Sequence, residues 1–385
     1  MVPEINGDTQ DGFTAYKITL KKCLEHNQTF NYHLHYSNSG ILEYYNSTDP
    51  YGHSTYDELF KYINGTLKIE DIWLKEIETP QATIDRQVLN VVCDGKPITT
   101  EQWTPAVCYE KDGAIVDEMF NFAVFRPTQA DIAAGKYTTK ESWDALVAQM
   151  FESLDALERA VAPLKQLEGK ERHSVGVLFP LFNPQNTATA CYDNWGEIDG
   201  ERMDPNDPLH RRRMVIYMID ACLAVRERGY KNLHFNGFCW MDESIDVSQM
   251  DWYVRTVDKM IDARGYCMTV PAFKAPGHEK VYRAGFGFVP MQVEGETEEE
   301  LLAAVRYNKS ISTGVVATLA SLEDKAAVDH FRRTLKCCLT AEMGNHLHLY
   351  EFGNGPAAVA AADRALYDEL YAYLRHTLTV DDIVI

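Results

Sequence analysis

The chain has 385 residues, of which 45% are hydrophobic and 24% charged, and its formal net charge is -20 at pH 7. This length is ample for a large α/β core with a smaller accessory region, and the composition is that of a globular protein. A negative field of this size repels phosphate backbones, so we expect no nucleic-acid partner. No apolar run in the sequence is long enough to cross a bilayer, so we expect no membrane insertion.

The nine cysteines are scattered along the chain and form no CxxC pair. This pattern is typical of buried free thiols in a reducing compartment and not of a disulfide framework. The segment Met1-Val2-Pro3-Glu4 shows neither the basic nor the apolar stretch of a signal peptide. We therefore expect a cytoplasmic protein, or a secreted one if a signal peptide has been removed.

Residues 1–84 alternate between apolar and polar side chains in the manner of β-strands, at Phe13–Leu20, Phe30–Tyr36 and Thr66–Trp73. Turn sequences such as Asn64-Gly65 separate them. We expect a small β-rich accessory region here, and a main domain over residues 85–385.

From about residue 88, short apolar runs alternate with amphipathic helical segments. The runs are nearly continuous, as expected of strands buried on both faces. Eight are present: Val88–Cys93, Met119–Phe125, Ser174–Phe182, Leu233–Trp240, Tyr266–Ala272, Phe286–Gln292, Gly314–Ala320 and His346–Glu351. Eight strands with helical crossovers predict an α/β protein with a (β/α)8 TIM-like barrel. The alternative is a doubly wound open sheet, although no GxGxxG or GxxxxGK[ST] motif follows any strand.

The intervening helices are expected at 141–160, 297–308, 323–342 and 357–376. Another helix precedes Gly229, which we expect in the left-handed conformation that ends helices. A further helix runs from a cap at Asp246 to Gly265. Both of these helices close with Arg-Gly-Tyr just before a strand, which marks successive βα units.

In barrels of this kind the functional side chains lie just beyond the C-terminal ends of the strands. In this chain those positions are rich in carboxylates, amides and aromatic rings. Aromatic faces stack on the C–H faces of sugars, and carboxylates and amides hydrogen-bond the hydroxyls. We therefore expect a carbohydrate partner and no cofactor, and the candidate binding residues are Asn194, Trp195, Trp240, Asp242, Phe273, Lys274, Gln292 and Tyr350.

Glycoside cleavage requires two carboxyl groups, one to protonate the leaving oxygen and one to act as nucleophile or base. Glu243 is the best candidate for the acid because it follows a clearly bounded strand and lies near Trp240, whose ring would help to desolvate it. Glu351 and Glu294 are the candidates for the second carboxylate. The alternative for Glu243 is a place in the first turn of the next helix, where acidic residues are favourable.

His346-Leu347-His348 places two imidazoles on one face of a strand, an arrangement that zinc sites use. Amidohydrolase barrels carry such a pair on the first strand, with further histidines on the middle strands, whereas here the pair lies on the last strand. We therefore expect no metal site, and a metal-dependent hydrolase is a third alternative. His33-Leu34-His35 lies outside the barrel and indicates a pair on a β-face.

Several segments resemble a bacterial family catalogued as domain of unknown function 4855 (DUF4855). The most specific is Gly237–Glu243, with the pattern Gly-Phe-x-Trp-x-x-Glu, and the others are Trp103–Phe122, Asn194–Gly200, Pro271–Gly277 and Gly285–Gln292. The resemblance covers roughly residues 88–376. It implies a TIM barrel similar to glycoside hydrolases, with a sugar site that has Glu243 at its centre.

The chain departs from the family pattern at two places. The family favours Asp where this chain has Asn121, and a Gly-Val-Glu-x-Glu run on the seventh strand, where this chain has Gly314–Thr318. Many retaining glycosidase barrels keep their nucleophile at the end of that strand. The second carboxylate would then come from Glu351, Glu294, Asp242 or Glu323. A non-catalytic carbohydrate-binding barrel is therefore the alternative to a glycoside hydrolase-like enzyme.

Overall fold

The computed structural model describes residues 9–10, 13–14, 31–36, 40–45, 72–76, 87–93, 95–184, 195–244, 246, 256, 266–344, 346–353 and 355–385. The chain divides into two compact units. One comprises residues 1–82 with 282–285, and the other comprises residues 83–281 with 286–385.

The first unit contains antiparallel strands. Asn31–Tyr36 pairs with Gly40–Tyr45 on one side and with Ile72–Glu76 on the other. Thr9–Gln10 pairs with Phe13–Thr14. The strand predicted at residues 30–36 is therefore present, and those predicted at 13–20 and 66–73 are present in part; their remaining residues lie outside the described ranges.

The second unit is a (β/α)8 TIM-like barrel of parallel strands. In chain order these are β1 Gln87–Val92, β2 Phe122–Arg126, β3 Val175–Leu181, β4 Leu233–Trp240, β5 Tyr266–Thr269, β6 Pro290–Met291, β7 Gly314–Leu319 and β8 His348–Phe352. Their hydrogen-bonded order is β5-β4-β3-β2-β1-β8-β7-β6. A parallel bridge between Met268 and Phe288 brings the two ends of this sheet together. The predicted barrel is confirmed, and all eight predicted strands are present.

The strands divide their side chains between the barrel interior and the helix layer, because successive residues point to opposite faces. On β3, the ring of Phe179 lies 6.1 Å from Phe151 of the surrounding helix layer and stacks on Phe125 of β2, also at 6.1 Å. Phe125 therefore faces outward, which places its neighbour Arg126 on the interior face. On β8, Phe352 contacts a helix through Phe331, with 5.9 Å between ring centroids, so Glu351 lies on the interior face.

Helices pack outside this sheet. They are α1 Thr100–Val107, α2 Gln129–Ala133, α3 Lys140–Val161, α4 Pro208–Leu223, α5 Glu298–Ser310, α6 Lys325–Thr340, α7 Pro356–Ala362 and α8 Arg364–Leu374. The helices predicted at 141–160, 297–308 and 323–342 are confirmed as α3, α5 and α6. The segment predicted as one helix over 357–376 is divided at Asp363, whose side chain accepts a hydrogen bond from the backbone of Leu366 and so begins a new helix.

Gly229 has the predicted left-handed conformation, with φ of 66°, after a short 3-10 segment that continues α4. The helix predicted over 246–264 lies outside the described residues, apart from Asp246 and Thr256. The crossover from β1 to β2 consists of α1 and an antiparallel hairpin, Cys108–Lys111 with Ala114–Glu118.

The cysteines in the described ranges are free and buried, as the sequence predicts: Cys93, Cys108, Cys222, Cys239, Cys267, Cys337 and Cys338. Among the helices that the structure describes, none has both the length and the apolar character needed to cross a membrane.

Candidate functional site

Side chains from β2, β7 and β8 meet at the C-terminal end of the barrel, which we call the mouth. The Arg126 guanidinium, at the end of β2, donates from Nη1 to Oε1 of Glu351 at 2.8 Å. The other oxygen of Glu351, Oε2, accepts a hydrogen bond from Oγ1 of Thr318 at 3.1 Å. The side chain of Arg126 is only 6% exposed and that of Glu351 24%. An ion pair this deep fixes the direction of the Glu351 carboxylate.

The strand register explains why these three residues meet. Thr318 of β7 is paired with Glu351 of β8, so the two side chains lie side by side on the interior face. Arg126 is paired with Val92 at the end of β1, and β1 lies between β2 and β8. The long guanidinium side chain therefore passes the short Val92 side chain to reach Glu351. The Nε of Arg126 is buried and has no hydrogen-bond partner among the described residues, so the buried cation depends on Glu351.

Glu243 lies in the loop after β4 and is half-buried. Its backbone carbonyl accepts a hydrogen bond from the backbone of Ala272 at 3.1 Å, which ties it to the loop after β5. Burial raises the pKa of Glu243 above its usual value, with the Arg126 guanidinium acting to lower it and the charge of Glu351 acting to raise it. The structure therefore brings Glu243 and Glu351, the first two predicted catalytic residues, into the same electrostatic environment.

Asp242 anchors the same loop from the other side. Its Oδ2 accepts a hydrogen bond from Nδ2 of Asn183, which follows β3, at 3.0 Å. Its backbone carbonyl accepts one from Oγ1 of Thr269 on β5 at 3.3 Å. These two bonds connect the ends of β3, β4 and β5, and so they position the adjacent Glu243.

The loop after β5 carries Phe273 and Lys274. The Phe273 ring is half-buried and lies edge-on to Tyr307 of α5, with 5.9 Å between centroids. The exposed Lys274 has a φ of 53°, which is uncommon for a residue with a side chain, and its Nζ lies 4.9 Å from the centres of both rings. Ala272, which contacts Glu243, precedes this pair directly, so both residues lie on a loop that borders the mouth.

Three of the aromatic residues predicted to form walls are buried. Trp195 and Trp240 are 1% exposed and Tyr350 is 0% exposed. Tyr350 is on the outward face of β8, where its ring lies 5.3 Å from Phe120 and its hydroxyl donates to Gln87. A sugar stacks only on an exposed ring face, so in this structure these rings belong to the core and not to the mouth.

The other predicted residues have simpler placements. Glu294 is exposed on the loop after β6, and Glu323 is exposed after β7. Gln292 is half-buried, and its backbone donates to the carbonyl of Pro271 at 3.2 Å. Asn194 lies outside the described residues.

The family model for a domain of unknown function, DUF4855, matches residues 94–371. The chain belongs to the DUF4855 family. The match runs from the end of β1 into α8 and includes Arg126, Glu243 and Glu351. It confirms the resemblance that the sequence segments indicate.

No curated protein matches this DUF4855 chain. Solved structures with some similarity include single-residue variants of the tryptophan synthase alpha-subunit from the hyperthermophile Pyrococcus furiosus. One such variant has 12% identity and a TM-score of 0.36, and another has 13% identity and a TM-score of 0.33. In both cases 76% of this chain and 96% of the other chain are covered. Similarity this low supports no argument about function.

The histidine pair of this DUF4855 barrel lies far along β8 from the mouth. His348 begins the strand and is buried, with Nδ1 2.8 Å from the carbonyl of His346 and Nε2 3.3 Å from the hydroxyl of Tyr373 in α8. Burial lowers the pKa of His348 to about 4. Within the described part of the chain, no group of three or more His, Cys, Asp or Glu side chains is arranged to hold a metal.

The sequence places Arg126 and Asn183 at strand ends but assigns them no role, and it does not indicate a role for Thr318. Each stands at or just beyond the C-terminal end of a strand, and Arg126 is a charged residue directly after an apolar run, which is the available sequence signal. Thr318 ends the seventh-strand run that departs from the expected pattern, and it contacts Glu351. The other departure, Asn121, directly precedes β2 and so lies at the opposite end of the barrel from the mouth.

Proposed function

We propose that this DUF4855 protein is a glycoside hydrolase-like enzyme that cleaves a poly- or oligosaccharide. Glu243 is the general acid and Glu351 the second carboxylate. The observation that carries the proposal is that one barrel mouth contains a half-buried carboxyl with raised pKa, Glu243, and a carboxylate that is ion-paired with Arg126, Glu351. Two carboxyl groups whose environments differ in this way are suited to acid and base roles.

The reaction assigns one task to each carboxyl group. Glu243 gives its proton to the glycosidic oxygen as the bond from that oxygen to the anomeric carbon breaks. Glu351 then either removes a proton from the water that attacks the anomeric carbon, or forms a bond to that carbon that water later hydrolyses. The hydrogen bonds from Arg126 and Thr318 leave lone pairs free on both oxygens of Glu351, since each carboxylate oxygen accepts two bonds.

The proposed sugar contacts come from the loops around the mouth. Phe273 offers a partly exposed ring, and Lys274 and Gln292 offer polar groups. Val92, which is 37% exposed at the end of β1, offers an apolar surface beside Arg126. The net charge of -20 favours a neutral saccharide over an anionic one.

A screen of the purified protein against a panel of polysaccharides tests the proposal when it reads both binding and released sugar. For a polysaccharide that is cleaved, Glu243→Gln is expected to abolish turnover and to retain binding, since the amide preserves the shape but carries no acidic proton. Glu342→Gln is the matched control, because the side chain of Glu342 is 89% exposed in the turn between α6 and β8. Unchanged turnover in Glu243→Gln would end the assignment.

A non-catalytic carbohydrate-binding barrel is the second candidate. It is favoured by the engagement of both oxygens of Glu351, and by Thr318 at a strand end where the family pattern has glutamate. For such a protein, the screen gives binding without product release from any polysaccharide. Glu243→Gln then changes affinity modestly and changes nothing else.

A further inference from the structure

Two carboxyl groups at the mouth have proposed catalytic roles, Glu243 and Glu351, and among the described residues Arg126 is the one cation that contacts either of them. Two carboxyl groups that share a site compete for a proton, because their negative charges repel each other. In the proposed reaction the proton must reside on Glu243 and the charge on Glu351. The surroundings of the two side chains must therefore determine which carboxyl group holds the proton.

Arg126 treats the two carboxyl groups differently. Its Nη1 contacts Oε1 of Glu351 at 2.8 Å, and Thr318 donates to the other oxygen. No described residue donates a hydrogen bond to the side chain of Glu243, which is instead half-buried. Hydrogen bonds favour the charged form of a carboxyl group and burial favours the neutral form, so the two effects act on different residues.

Two other ionisable groups among the described residues lie near Glu243, and neither is among the charges that shift its pKa. Asp242, its neighbour, is hydrogen-bonded to Asn183. Cys239, on the interior face of β4, is buried, and burial raises the pKa of its thiol to about 11, so it stays uncharged. Among the residues that the structure describes, Arg126 and Glu351 are thus the charges that act on Glu243.

We propose that Arg126 is a positioning residue that holds the Glu351 carboxylate at the mouth beside Glu243 and offsets the effect of its negative charge on Glu243. The inference rests on the proposed function, since the proposed reaction is what uses this arrangement of charges, but its test needs no substrate. Without Arg126, the half-buried Glu243 faces the charge of Glu351 with no cation to offset it, so we expect Glu243 to hold its proton more tightly.

The test is a carbon NMR titration of Glu243 in protein with labelled glutamate carboxyl groups, in which the signal is assigned by its loss in Glu243→Gln. Arg126→Met is expected to raise the pKa of Glu243 by about one pH unit, because an attractive charge is lost. Glu351→Gln is expected to lower it, because the repulsion is lost and Arg126 is left unneutralised. Arg126→Lys retains the charge and is expected to stay near the wild-type value.

The matched control is Arg228→Met, which removes an arginine from an exposed ion pair with Asp155. It is expected to leave the titration of Glu243 unchanged. If Glu243 titrates as in the wild type in either Arg126→Met or Glu351→Gln, the role of Arg126 is overturned; the second variant serves even if the first fails to fold. If the titrations shift as expected but no polysaccharide is cleaved, the proposed hydrolase fails while the role of Arg126 stands.

Discussion

Arg126 and Glu351 join the second and eighth strands of the barrel across the first, through a contact of 2.8 Å between Nη1 and Oε1. The connection is made at the mouth, where the loops after the strands meet. Its cation is nearly inaccessible to water, with 6% of the side chain exposed. The pair therefore acts on stability as well as on the charges of the site.

Removal of the arginine from this pair is expected to destabilise the protein. Arg126→Met leaves Glu351 in the mouth without its counter-ion, and breaking a pair this buried costs about 3 kcal/mol of unfolding free energy. Arg228→Met breaks an exposed pair and is expected to cost about 0.5 kcal/mol or less. Urea denaturation of the two variants measures the difference, and equal losses would show that the Arg126 pair is no more than a surface contact.

Glu243→Gln is expected to stabilise the protein near neutral pH. The pKa of Glu243 is raised in the folded state above its usual value of 4.5, so between these two values the folded state binds more protons than the unfolded state. Stability therefore falls as the pH rises through this window, and the glutamine variant avoids the loss. Urea denaturation at pH 4 and pH 8 tests this: the advantage of the variant should appear at pH 8 only. An equal advantage at both pH values would contradict it.

His348 is expected to make the protein sensitive to acid. Burial lowers its pKa in the folded state to about 4, from a usual value of 6.5, so the unfolded state binds the proton more readily. Stability is therefore lost as the pH falls from 6.5 towards 4, by about 3 kcal/mol in all.

The matched variant is His348→Gln, which keeps hydrogen-bonding groups beside Tyr373 but has no group that titrates in this range. Its unfolding free energy should fall less than that of the wild type between pH 7 and pH 4. A parallel decline in both proteins would assign the acid sensitivity to other groups.

The sequence was sufficient for the barrel, because eight apolar runs separated by amphipathic helices have few other arrangements. It also placed Glu243 and Glu351 at strand ends, where the structure has them. It did not predict which side chains at those ends face the mouth. Tyr350 and Glu351 are adjacent, and since successive strand residues point to opposite faces, only one of them faces the interior. Which of the two faces the interior depends on the hydrogen-bond register between neighbouring strands, and a single sequence does not show that register.

The role of Arg126 was not predicted for a related reason. A lone arginine after an apolar strand is compatible with an exposed loop, and its partner Glu351 follows 225 residues later. Only the closure of the ring brings β2 and β8 within reach of each other. The contact between Thr318 and Glu351 depends on the same register.

Gly353, which follows β8, is expected to be essential for the arrangement of the mouth. Its backbone N–H donates to the carbonyl of Leu319 at 2.9 Å, and a methyl group added to Gly353 would overlap the carbonyl oxygen of Ala320. Gly353→Ala therefore forces β8 away from β7, and it separates Glu351 from Thr318. We expect a loss of about 2 kcal/mol in unfolding free energy, the usual cost of overpacking. We also expect a change in the titration of Glu243, because the charge of Glu351 moves.

Gly287→Ala is the matched control, since a methyl group there meets nothing within 4 Å. It is expected to change the unfolding free energy by about 0.5 kcal/mol or less. Thermal or urea denaturation measures the first effect, and the carbon NMR titration measures the second. Gly353→Ala could instead be as stable as Gly287→Ala and leave the titration of Glu243 unchanged. That result would show that close contact between the ends of β7 and β8 is not needed to hold Glu351 in place.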